Sequence, residues 1–207
     1  MPRPKDIDTA EGRRRHEEKY QRILSASMEV FARKGFAESK ISEIAQVAGV
    51  GDGTIYLYFK NKDDLLISLF ESKLEEINAG LRDALVGISE PKAQLKAIID
   101  FHLGLALNSV ELAALVTIEL RRSQKFMKEY AKEQLAEYLD QWNTVLEAGQ
   151  KSGDFRADFS TNIFKFIMFG SIDHVIGLWV SNPNRSRDDL LEVGRQLTDS
   201  VMRAVIA

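Results

Sequence analysis

Apolar residues recur along this chain every three to four positions, the spacing that lines one face of an α-helix. Tyr20, Leu24, Met28 and Phe31 share such a face and predict a first helix over about 17–34, ended by Gly35, a residue suited to a left-handed cap. Ile41, Ile44, Ala45 and Ala48 predict a very short helix, and Gly53–Phe59 a second, joined by a turn around Gly49. Leu65, Leu69, Leu74, Ile77, Leu81 and Leu85 form a sustained stripe on a long helix whose N-terminal end carries Asp63 and Asp64, where the helix dipole favours carboxylates. Beyond Pro91 the pattern predicts helices over about 92–107, 110–122, 126–151, 160–181 and 187–206. Four prolines and no alternating β-branched run leave no sheet. The expected fold is all-α with about nine helices: a basic, flexible arm over 1–16, a domain over 17–65 and a second domain over 66–207.

Two short apolar helices around a glycine turn are helix-turn-helix spacing. In that motif the second helix enters the DNA major groove N-terminus first, so small residues there let the backbone approach phosphates and base edges. Gly51, Gly53 and Thr54 meet that need. Within Gly53–Phe59, Ile55 and Phe59 share one side, as a core pair would, and Tyr56 and Tyr58 are left to face outward, able to pack on thymine methyls or donate to phosphates. Lys40, Lys60 and Lys62 flank the motif as candidate phosphate contacts or as solvated side chains, and Ser39 or Ser42 is a candidate cap for the first short helix that also faces the DNA backbone.

Composition narrows the classes. The chain has 207 residues, 44% apolar and 29% charged, with no cysteine, which excludes disulfide frameworks and thiol chemistry. Charged or polar residues are expected to break every apolar stretch before the roughly 18 residues of a membrane span. No apolar run follows the charged N-terminus, so a cytoplasmic protein is expected. The net charge of −3 divides into +3 over residues 1–62 and −6 over the rest, a mildly basic head on an acidic body. His16, His102 and His174 lie far apart, with no zinc-ligand pair, nucleophile elbow or phosphate loop. An enzyme therefore has little to build on, and a lipid carrier would have no need of the Gly53–Lys62 surface.

The segment SKISEIAQVAGVGDGTIYLYFKNKDDL, Ser39–Leu65, following FARKGF at Phe31–Phe36, closely resembles the DNA-binding domain of TetR-family repressors over about 45 residues. Lys40 stands where many family members carry Thr. With Asp52, Tyr56, Tyr58 and the later stretch Val116–Met127, the variant also looks like the FadR-type branch that regulates fatty-acid degradation and responds to long-chain acyl-CoA. The resemblance implies a homodimer on a roughly palindromic operator, an apolar or acyl-CoA effector in the second domain, and no cofactor, metal or membrane partner. Another apolar ligand, a drug or metabolite, is the alternative effector.

Two apolar seams suit dimerisation by the last two helices: Ile163, Ile167, Gly170, His174 and Gly177, and Leu190, Gly194, Leu197 and Val201. Packing of both seams inside one subunit is the alternative. Seven of eleven phenylalanines lie beyond residue 100. Candidates for the effector pocket are Phe101, His102, Leu105, Phe126, Tyr130, Trp142, Phe166, Phe169 and Asp173, with core packing as the alternative for each aromatic. Arg121, Arg122, Lys125 and Lys128 supply four cations within eight residues, either a rim for an anionic headgroup or partners of nearby glutamates.

Overall fold

The structure, a computed structural model, describes residues 9–122 and 131–206. Among them the elements are helical: α1 (Ala10–Lys34), α2 (Ile41–Ala48), α3 (Asp52–Tyr58), α4 (Lys62–Leu85), α5 (Pro91–Asn108), α6 (Val110–Ala114), α7 (Ala131–Ser152), α8 (Thr161–Ser181) and α9 (Arg187–Val205). A single isolated bridge joins Phe155 to Ile206. The chain divides into two compact units between Ser72 and Lys73, inside α4 rather than at the expected 65/66.

The first helix starts at Ala10, not near residue 17. The Thr9 side chain accepts from the Gly12 N–H at 3.0 Å, and Glu11 occupies the first turn, where the dipole favours it. Glu11 pairs with Arg15, and Glu18 with Arg14 at 3.3 Å; such i,i+4 pairs support a helix that has little apolar surface. The expected flexible arm is thus helical from Ala10 onward, while Met1–Asp8 lie outside the described residues. Ile23, Leu24 and Phe31 of α1 pack with Ile44, Ala45 and Ala48 of α2, and Ile55 and Phe59 close this core.

In the second unit α5 packs on α7, α8 and α9. Leu95, Ile98, Ile99, Leu139, Trp142, Leu146, Ile172, Leu190 and Val205 are buried there. The helix expected over 110–122 is interrupted: α6 ends at Ala114, a π-helical turn follows over Leu115–Glu119, and a 3₁₀ turn over Leu120–Arg122. α8 contradicts the expectation that no stretch is apolar enough for a membrane, since an 18-residue window reaches a mean hydropathy of 1.5 with only 22% of it buried. Its two charges are held by protein partners, Lys165 by Asp140 and Asp173 by Arg121, and the apolar surplus lies on an exposed face.

Candidate functional site

The turn of the first unit depends on Gly49, whose φ of +65° is left-handed and whose N–H returns to the carbonyls of Ala45 and Gln46. An L side chain is strained in that conformation, so α2 stops there and the chain redirects into α3. Ile55 and Phe59 anchor α3 in the core, at 1% and 3% exposure, and Tyr56 and Leu57 stand out at 49% and 65%. Around Gly51 and Gly53, space is open: a Cβ on either meets nothing within 4 Å. The fold itself does not require glycine at these positions, which leaves close approach by something outside the chain as the reason for their smallness. Thr54, half-buried, donates its N–H to the Gly51 carbonyl at 2.8 Å. Lys40, Ser42 and Lys60 are exposed around this surface.

Three residues expected at the DNA surface are drawn away from it. Ser39 is buried; its hydroxyl donates to the Gly35 carbonyl at 2.6 Å and so satisfies the end of α1 rather than capping α2. The start of α2 is held instead by Glu43, whose carboxylate accepts the Lys40 N–H at 3.1 Å. A hydrogen bond from Lys34 and this backbone bond hold the Glu43 carboxyl below its ordinary pKa. Lys62 turns its ammonium inward onto the carbonyls of Phe36, Ala37 and Ser39 at 2.7, 2.9 and 2.9 Å, 4.7 Å above the Phe36 ring. All three ammonium hydrogens have acceptors, so this cation clamps the α1–α2 loop instead of meeting a phosphate. Tyr58 is half-buried against α1, its ring 4.5 Å from His16 and its hydroxyl donating to the His16 carbonyl at 3.5 Å. Partial burial raises the Tyr58 pKa.

In the second unit the structure brings His102, Trp142, Phe101 and Phe169 together and adds Tyr138. His102 lies 4.7 Å from Trp142, 5.5 Å from Phe101 and 5.6 Å from Tyr138; Phe169 is 6.0 Å from Trp142. His102 and Trp142 are buried, and the His102 ring faces the Ile98 carbonyl through Nδ1 at 2.6 Å. Burial outweighs that bond and lowers its pKa to about 4. Leu105 is half-buried on the same helix. Arg121 is ion-paired with Asp173 at 2.6 Å and also donates to the Thr117 carbonyl inside the π-helical turn. Its partner is therefore on α8, not one of the nearby glutamates. Burial raises the Asp173 pKa, and Arg121 opposes the rise. Phe166 does not join the cluster: at 54% exposure it sits on the outer face of α8. Lys125, Phe126, Lys128 and Tyr130 lie outside the described residues, as does the Arg122 side chain.

The two C-terminal seams separate. On α8, Ile163 and Ile167 are 63% and 56% exposed, and Gly170, His174 and Leu178 continue the same open stripe, with Gly177 half-buried beside it. On α9, Leu190, Gly194 and Val201 are buried within the subunit, and Leu197 is half-buried. A Cβ on Gly194 would lie 2.2 Å from Leu103 Cδ1. That glycine is there so that α9 can lie against α5, which corrects the expectation of a partner-facing α9 seam.

Two family models match the chain: "Bacterial regulatory proteins, tetR family" over residues 23–69, and "YsiA-like protein, C-terminal region" over 70–203. The chain belongs to the TetR family. Among TetR-family relatives, the fatty acid metabolism regulator protein of Bacillus subtilis is 35% identical over 167 residues, 81% of this chain and 86% of that protein. The crystal structure of B. subtilis FadR in complex with stearoyl-CoA superposes with a TM-score of 0.82 at 32% identity, covering 89% of this chain and 98% of that one. The fatty acid degradation regulator FadR of Bacillus halodurans gives 0.82 at 31% identity, over 89% and 94%. These relatives are transcriptional regulators, so this TetR-family chain is one too, and the enzyme reading falls.

Sequence reasoning missed His16, hidden in the supposed arm, and the place of Tyr138 in the aromatic cluster. The signals were present: Thr9 followed by Glu11 marks a helix start, and Tyr138 stands four residues before Trp142 on one helix face.

Proposed function

We propose that this TetR-family regulator is a homodimeric repressor of fatty-acid-degradation genes, acting in the cytoplasm, and that long-chain acyl-CoA releases it from a palindromic operator. The observation that carries the ligand is the likeness, over 98% of its length, to a regulator solved with stearoyl-CoA. The buried aromatic cluster on α5, α7 and α8 suits an acyl chain, and Arg121 at the π-helical turn suits an anionic headgroup. DNA contact is assigned to Gly51, Gly53, Thr54 and Tyr56 on and before α3, with Lys40, Ser42 and Lys60 on phosphates. Dimerisation is assigned to the exposed α8 stripe, whose glycine at 170 permits close helix approach.

Release follows from linkage. An effector that binds better to a form with the two recognition helices misplaced lowers operator affinity by the same factor. α4 contributes residues to both units and is the element through which the change passes. The test is a mobility-shift assay on DNA upstream of this gene and of neighbouring fatty-acid genes, titrated with stearoyl-CoA, stearic acid and CoA. Release by stearoyl-CoA alone is expected. Tight binding indifferent to all three would keep the repressor and discard the acyl-CoA effector.

A further inference from the structure

Among the described residues, three buried side-chain polar atoms lack a hydrogen-bond partner: His102 Nε2, Trp142 Nε1 and Asn143 Oδ1. Asn143 is half-buried and its amide already donates to Glu147 at 2.5 Å. The other two belong together. His102 and Trp142 are 8% and 0% exposed, on the facing helices α5 and α7, with ring centroids 4.7 Å apart at an interplanar angle of 69°. Buried polar groups rarely go unpaired in a folded protein, and a pair of them side by side calls for a missing partner.

The two atoms are chemically complementary. His102 Nδ1 faces the Ile98 carbonyl at 2.6 Å, so the ring proton is on Nδ1 and Nε2 presents a lone pair. The depressed pKa keeps the imidazole neutral and Nε2 an acceptor at physiological pH. Trp142 Nε1–H can only donate. We infer that His102 and Trp142 form a buried polar subsite for a hydroxyl carried on the acyl chain of the effector, the hydroxyl accepting from Trp142 Nε1–H and donating to His102 Nε2. The inference rests on the acyl-CoA reading above and narrows it to hydroxylated chains. A carboxylate has no proton for His102 Nε2, and an ammonium has no lone pair for Trp142. A plain methylene chain leaves both atoms unpaired, and a site built to bond a hydroxyl discriminates against the analogue that lacks it. The surrounding rings of Phe101, Tyr138 and Phe169 offer no hydrogen-bonding substitute through their faces.

The test is calorimetric titration of the full-length protein with stearoyl-CoA and with hydroxystearoyl-CoA isomers bearing the hydroxyl near the thioester, at mid-chain or near the methyl end. At least one isomer is expected to bind about tenfold tighter than stearoyl-CoA or better. His102→Phe and Trp142→Phe should each erase that preference while stearoyl-CoA still binds. If every isomer binds no tighter than stearoyl-CoA, the subsite assignment is overturned and the acyl-CoA effector stands; water or the CoA arm then satisfies the pair. If no acyl-CoA binds at all, both readings fall. Should the variants not fold, the ligand series on the unmodified chain decides alone.

Discussion

At Lys62 the difference between a charge that reads DNA and a charge that builds the reader becomes concrete. Its ammonium meets three loop carbonyls, whereas Lys60, two residues earlier, is exposed. Replacing Lys62 by Met should cost about 1–3 kcal/mol of stability, because charged hydrogen bonds to otherwise unpaired carbonyls are lost. Operator binding should weaken with it, yet the slope of log affinity against log salt should not change, because no phosphate contact disappears. Lys60→Met should do the reverse: stability within about 0.5 kcal/mol of the parent and a salt slope shallower by about 0.9. Urea unfolding and fluorescence anisotropy over a salt series would check both; a reduced slope for Lys62→Met would return that residue to the DNA surface. The sequence could not separate the two lysines. Lys62 finds its acceptors 23 to 26 residues away, and nothing local encodes that reach.

At the scale of the element, α3 is short and poor in intrinsic stability, held by Ile55 and Phe59 from below and by Tyr58 against α1 from the side. Gly53 lies inside it with open space around the missing Cβ. Gly53→Ala should therefore raise the stability of the fold by roughly 0.5–1 kcal/mol, the helix-propensity difference. It should also lower operator affinity by about tenfold, since the methyl stands where the groove must come close. Opposite signs in thermal unfolding and in DNA titration are the outcome to look for; unchanged DNA affinity would remove Gly53 from the interface. The same kind of residue has another cause on α9, where Gly194 makes room for Leu103 inside the subunit. Helical spacing revealed the α9 stripe correctly but not which neighbour it faces, because α5, α8 and a second subunit all present apolar surface.

At the scale of the whole molecule, the open question is what covers the exposed stripe of α8. Ile163, Ile167 and Leu178 are 56–63% exposed, an apolar face that favours burial against another chain. Two such faces related by a two-fold axis would make a self-complementary interface. Ile167→Asp should then convert the protein to a monomer in sedimentation velocity while its helical circular dichroism is retained, because the side chain is exposed in the single subunit. Operator affinity should collapse with it, since one head alone engages only one half-site. Persistence of the dimer would place the interface elsewhere.

The sequence by itself determined the helical class, the helix-turn-helix and its family, because these rest on short-range periodicity, on glycine at special backbone positions and on a contiguous motif. It placed α2, α3 and α8 within a residue or two. Only the tertiary structure decided the roles of individual side chains: Ser39 and Lys62 turned inward, Tyr58 leaned on His16, Phe166 went outside and Tyr138 inside. Each of those outcomes depends on which distant atoms happen to face the side chain, and a helix exposes its residues to neighbours that the local spacing does not name.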